Sequence, residues 1–147
     1  MAFPVPPSIN AQYATVNGRR VLSAAGRAYK QIVAHHILVA LSRFPHRAAL
    51  LRTLRGDALA LTLRFEFSAP LRRDVDGGLK ITQDAVCEAL GLNDNRIVEL
   101  HLYKEAAPGV PRVLVDLAPT SRTGLRDDAL RPRDSRPDSR VGPPVNP

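Results

Sequence analysis

Between residues 59 and 67 the chain alternates strictly: Leu59, Leu61, Leu63, Phe65 and Phe67 are apolar, and Ala60, Thr62, Arg64 and Glu66 lie between them. A period of two places the five apolar side chains on one face of an extended segment, so this stretch predicts a strand with one buried face. Two further strands follow the same rule. One runs from Arg96 to Lys104 with Val98, Leu100 and Leu102 on one face; the other runs from Arg112 to Leu117 with Val113, Val115 and Leu117 on one face. The PGVP between them predicts a hairpin connection. Nearer the start, the extended VPPSIN leads into two short β-like runs around Asn17-Gly18, a dipeptide whose tolerance of positive φ suits a tight turn.

The helical period appears twice. Ser23 is placed to cap a helix running to about Ser42, on which Ala25, Tyr29, Ile32, Val33, His36, Ile37 and Ala40 share a face. A second helix, from about Gly78 to Leu90, groups Leu79, Val86 and Leu90 and leaves Lys80, Asp84 and Glu88 as a polar ridge. Gly91 ends it, as glycine commonly does just past a helix. The basic connection HRAALLRTLRGDA leaves room for a short additional helix. One-faced strands and two amphipathic helices make a two-layer α+β domain with both main helices on one side of the sheet. The opposite sheet face is then partly polar, carrying Thr62, Arg64, Glu66, Glu99 and His101.

Composition narrows the class. With 147 residues and 44% apolar content the chain fits one domain, spanning residues 1–118. The longest apolar run, Ile37 to Leu41, is far shorter than the roughly 18 residues of a membrane span. The start MAFPVPPS lacks the features of a secretory signal, which points to the cytoplasm. The single cysteine, Cys87, has no partner within the chain for a disulfide, and no Cys/His spacing matches a zinc site. Residues 119–147 are rich in Pro, Arg, Ser and Asp and are expected to form a disordered tail. That tail has six Arg against four Asp, so of the formal +7 a net +5 stays with residues 1–118. The domain itself therefore attracts polyanions, nucleic acid foremost.

Candidate chemistry concentrates in LRRDVDGGLK, residues 71–80. In an extended segment Asp74 and Asp76 point to one side and Val75 to the other, so two oxygen donors converge. Mg²⁺ takes one or two protein carboxylates and completes its shell with water and phosphate. Gly77 and Gly78 open the backbone at a helix start, where free N–H groups receive a phosphate oxygen. Lys80, one turn on, is placed to offset charge building on that phosphate, and Arg72 and Arg73 add positioning charge. The plainer reading is that an aspartate caps the helix, Lys80 pairs with Asp84 and the arginines are solvated. Asp94, in GLNDNRIVEL, is a third acid that a short loop returns beside the pair, or else an ordinary turn residue. His35 and His36 are adjacent on a helix and point about 100° apart, so they read as packing and surface residues. Glu99, His101 and Cys87 also read as structural or surface residues.

These stretches together resemble the RusA family of Holliday junction resolvases. PVPPSIN, NGRRVLSAAGRAYK, RRDVDGGLKITQDAVCEALGL and NDNRIVEL stand in the family's order and spacing, and the likeness covers nearly all of residues 4–117. It implies a mixed sheet in a RusA-like fold and a homodimeric endonuclease that nicks four-way DNA junctions in pairs with Mg²⁺ or Mn²⁺. It further implies metal ligation by Asp74, Asp76 and Asp94, a catalytic role for Lys80, and DNA contacts by Arg19, Arg20, Arg72, Arg73 and Lys80. No membrane or small-molecule cofactor enters that picture, and a nucleoid setting with a phage or prophage origin goes with it. Two departures stand out. Gly77 occupies the place where the family usually has Asn after RDxD, and Asn93-Asp94 replaces the frequent Asp-Asp. The connection from Pro45 to Ala58 is long for the family, and the tail is an addition. Two alternatives carry different expectations: a branched-DNA-binding protein without catalysis, suggested by Gly77, and a metal-dependent transferase holding a nucleotide sugar on the acidic pair.

Overall fold

The computed structural model describes residues 1–120. In chain order the elements are β1 (Ala2–Pro4), a single helical turn α1 (Ile9–Gln12), β2 (Tyr13–Val16), β3 (Arg19–Leu22), α2 (Ala24–Ser42), α3 (Arg47–Gly56), β4 (Leu59–Phe67), α4 (Leu79–Leu90), β5 (Ile97–Ala106) and β6 (Arg112–Pro119). The expected α+β class is what forms. Four strands make one sheet in the order β1-β6-β4-β5, while β2 and β3 form a separate hairpin. The sheet is mixed, because β4 runs parallel to β5 and antiparallel to β6.

Strand β4 is the centre of the molecule. Its alternation is realised without exception: Leu59, Leu61, Leu63, Phe65 and Phe67 are buried, and the residues between them are not. Against this face lie Tyr29, Val33 and Ile37 of α2 and Ile81, Ala85 and Val86 of α4, with Phe3, Val113 and Val115 in the same core. Both main helices therefore cover one side of the sheet. The other side carries the expected polar set, with Arg64 paired to Glu105 at 3.2 Å and Arg112 paired to Glu66.

Local signals account for several boundaries. Ser23 Oγ accepts the Gly26 amide at 3.0 Å and caps α2. Asn17 and Gly18 take φ of 50° and 73°, the left-handed pair of a tight hairpin turn. Gly91 sits at φ 62°, and the Leu92 amide reaches back to the Cys87 carbonyl at 2.8 Å, closing α4.

Other expectations change. The PGVP segment is no hairpin, since β4 lies between β5 and β6, and the connection passes the end of β4, where the Ala107 amide bonds the Phe67 carbonyl. The apolar stripe on α2 is narrower than its sequence suggests. Gly26, Tyr29, Val33 and Ile37 are buried, but Ala25, Ile32, His36 and Ala40 are exposed, because a helix lying on a flat sheet buries a limited arc. His36 instead stacks on Phe3, with ring centroids 5.9 Å apart. The basic connection does form a helix, α3, with Leu54 buried. Finally, β6 continues through Pro119, and the Thr120 amide bonds the Ala58 carbonyl. The tail after Thr120 lies outside the described residues. Among the described residues no helix is long and apolar enough to cross a membrane.

Candidate metal and nucleic-acid site

The chain leaves β4 at Phe67 and enters α4 at Leu79, and the residues between form a loop that begins with one 3-10 turn, Pro70–Arg72. Three contacts fix it. Lys104 of β5 donates from Nζ to the Arg73 carbonyl at 2.6 Å. Buried Gln12 donates from Nε2 to the Gly77 carbonyl at 2.8 Å and to the Pro7 carbonyl at 2.9 Å. Gly78 is pressed against the core: a Cβ there would stand 2.6 Å from Pro6 Cγ and 2.9 Å from Phe65 Cε1. Its missing side chain serves packing, while Gly78 also lines the cleft beside Asp74. At Gly77 a Cβ would meet nothing nearer than the Asp74 carbonyl at 3.6 Å.

On this frame Asp74, Val75 and Asp76 are exposed. The segment is bent at Val75 and Asp76 and does not form a strand, so alternation does not govern where the two carboxylates point. Asp74 lines a cleft of about 440 Å³ together with Pro6, Phe67, Arg72, Arg73 and Gly77. Asp76 lines a neighbouring cleft of about 380 Å³ with Gln12, Tyr13, Arg20, Gly77 and Lys80. Gly77 belongs to both, so the clefts adjoin across the loop. Basic side chains flank them. The Arg73 guanidinium lies over the Phe67 ring at 5.3 Å, and Arg20 lies over Tyr13 at 4.1 Å, each held by its aromatic platform. Arg19 and Arg72 are exposed, Arg19 on the hairpin and Arg72 in the loop.

Lys80 stands in the first turn of α4. Its Nζ lies 2.7 Å from Asp84 and 3.1 Å from Asp94, which opens the 3-10 turn before β5. These hydrogen bonds, first to Asp84 and then to Asp94, hold the ammonium above the ordinary lysine range. The pairing with Asp84 anticipated as the plainer reading is present, and the same lysine also takes Asp94. Cys87, buried beside them, has its thiol pushed up to about 11 chiefly by burial, with Asp94 and Asp84 adding to the effect. Such a thiol is protonated and unreactive at neutral pH.

The structure thus places Asp76 and Lys80 on one cleft, Asp74 on the next, and Asp94 against Lys80. Among the described residues no three acidic, histidine or cysteine side chains gather closely enough to hold a metal. The donors are of the right kind for Mg²⁺, hard carboxylate oxygens open to water, but Asp94 is satisfied by an internal cation. Sequence reasoning left Gln12 and Tyr13 unmentioned, placed Lys104 only at a strand end, and gave Asp84 only a place in a polar ridge and a pairing with Lys80. A glutamine at a helical turn carries no signal of burial, and the role of Lys104 depends on the parallel register that sets it beside Phe65. No protein-family model and no curated protein matches the chain.

Proposed function

We propose that the protein is a metal-dependent, structure-selective endodeoxyribonuclease acting on four-way DNA junctions, as its likeness to the RusA family implies. The observation that carries the reading is the loop from Arg72 to Lys80. It presents two exposed carboxylates and flanking arginines on adjoining clefts at the edge of a basic domain. Asp74 and Asp76 would hold Mg²⁺ or Mn²⁺ with phosphate oxygens, and Asp94 would join them once released from Lys80. A metal held there would supply Lewis acidity and make a water more acidic. Arg72, Arg73, Arg19 and Arg20 hold the DNA backbone. Lys80, freed from Asp94, neutralises charge on the scissile phosphate. A homodimer presents two such loops to opposed strands of a junction, matching the symmetry of the substrate.

The test is a gel comparing junction, duplex and single-stranded DNA, each with Mg²⁺, Mn²⁺ or chelator, for wild type and Asp76→Asn. Paired metal-dependent nicks in the junction, lost in Asp76→Asn with junction binding retained, are expected. Equal cutting by the variant would defeat the assignment.

One observation favours a second reading, a junction-binding protein without catalysis: Asp94 is engaged by Lys80, and no three-acid group is assembled. Junction binding with no product under either metal would select it. Binding of a nucleotide sugar in place of DNA would select the transferase alternative.

A further inference from the structure

The two edges of the main sheet differ in a way that points to a partner. One edge, β1, has three residues and ends in Pro4, a short and blunted edge that does not invite pairing. The other, β5, has ten residues, no proline, and only β4 as a neighbour among the described residues. Its outer backbone groups form a template for another strand. Side chains along it are unusually apolar for such a position: Val98 is 39% exposed, Leu100 41% and Tyr103 44%. We propose that β5 pairs antiparallel with β5 of a second copy of this chain, with Leu100 on the two-fold axis.

The register follows from the side chains. Leu100 and Leu102 stand beside Leu61 and Leu63 and so belong to the helix-bearing face, while Glu99 and His101 stand beside Ala60 and Thr62 on the open face. Around a two-fold axis normal to the sheet, opposed residues lie on the same face, so the axis passes through one residue. Centred on Glu99, that glutamate would oppose its own copy. Centred on His101, the histidine would oppose its own copy and Val98 would oppose Lys104. Centred on Leu102, Glu99 would oppose Glu105 and Leu100 would oppose Lys104. Centred on Leu100, each position near the axis finds a compatible partner. Leu100 meets Leu100, Val98 meets Leu102, and Glu99 meets His101 twice. Centred on Tyr103 the ladder is no shorter, but Leu102 would oppose Lys104, and centres beyond it shorten the ladder. The like-charged pair in the favoured register, Arg96 opposite Lys104, falls just beyond the ladder, since Arg96 precedes β5 in a 3-10 turn. Both side chains already turn to carbonyls of their own chain, Arg96 to Asp57 at 3.5 Å and Lys104 to Arg73 at 2.6 Å.

This pairing makes one eight-stranded sheet from two four-stranded ones. It relates two loops of the proposed site by two-fold symmetry, and it rests on that reading only for its purpose. The pairing is tested on the full chain without DNA. Sedimentation velocity at tens of micromolar is expected to give about 32 kDa, twice the 16.0 kDa chain. Leu100→Lys, at a half-exposed position, is expected to weaken dimerisation at least about a hundredfold while its circular dichroism spectrum matches the wild type, which shows that the fold is kept. Leu100→Cys under mild oxidation is expected to give a disulfide-linked dimer, because residues directly opposed across an antiparallel pair lie within disulfide reach. Leu114→Cys, on β6, serves as the control that gives none, and native Cys87 is buried. A monomeric wild type overturns the pairing, including a monomer whose β5 amides are shielded from exchange by its own residues 121–147. So does a dimer that ignores Leu100→Lys and is not linked through Leu100→Cys. A monomer that still cuts junctions leaves the functional reading standing, whereas a Leu100-linked dimer that binds no junction sinks that reading alone.

Discussion

Lys80 and Asp94 stand fourteen positions apart in the chain, yet the lysine Nζ lies 3.1 Å from the aspartate Oδ2. The same ammonium holds Asp84 at 2.7 Å. An internal cation therefore occupies Asp94, one of the three carboxylates assigned to the metal, together with its neighbour Asp84. Exposed pairs of this kind contribute little to stability, so their removal should be read in binding and not in melting. Lys80→Met is expected to bind Mn²⁺ several-fold more tightly by calorimetry while losing at least about a hundredfold in junction cutting, the scale of a lost charge-stabilising group. Unchanged Mn²⁺ affinity would mean that Asp94 has no part in metal binding.

Four arginines flank the adjoining clefts and the hairpin: Arg19, Arg20, Arg72 and Arg73. Each phosphate contact releases counterions, so each lost arginine should flatten the log-log salt dependence of junction affinity by about 0.9. Arg72→Ala and Arg19→Ala are the cleanest choices, since among the described residues neither guanidinium lies over an aromatic ring. Binding measured between 50 and 200 mM salt, on the order of the range where such slopes are resolved, checks this. An unaltered slope in both variants would place the DNA elsewhere.

Adjacent glycines carry opposite expectations. Gly78→Ala forces a methyl into Pro6 and Phe65 and should cost about 1–3 kcal/mol, as overpacking of a core does. Gly77→Ala meets only ordinary contact and should melt within about 0.5 kcal/mol of wild type. Thermal denaturation of the two variants side by side decides the matter, and equal melting would remove the packing role given to Gly78.

Buried Tyr29 shares a hydrogen bond of 3.1 Å with Thr82, and its phenol is pushed up from 10.0 to about 12, chiefly by burial and against the opposing effect of Thr82. The folded state thus keeps this proton when the unfolded chain has lost it. Its contribution is full below pH 10 and falls as pH rises from 10 towards 12, by about 3 kcal/mol from the shift. Tyr29→Phe should lose about 1 kcal/mol at neutral pH with the Thr82 bond, then fall less steeply above pH 10. Urea titrations at pH 8 and pH 11 compare the two slopes, and parallel losses would show that Tyr29 does not titrate in the fold.

Much of the architecture was legible because it is written in periods. The strict alternation from Leu59 to Phe67 marked the central strand, and Ser23, Asn17-Gly18 and Gly91 marked local boundaries through their own backbone chemistry. Strand order was not legible, since PGVP reads the same whether its flanking strands pair or straddle a third. The candidate loop was found by residue type, but its clefts depend on contacts between distant segments. Gln12 reaches Gly77 across 65 positions, and Lys104 reaches Arg73 across 31. A bend at Val75 and Asp76 undid the period-of-two argument there, because that argument holds only for extended backbone.

The pairing of β1 with β6 sets Phe3 beside Val113, at opposite ends of the described chain. During synthesis the first strand therefore emerges long before its partner, and a core phenylalanine waits uncovered while more than a hundred residues follow. Addition of β1 to the sheet needs a long-range encounter and is expected late in folding. Nascent chains halted before Arg112 should be marked by chaperones and proteases as unfinished.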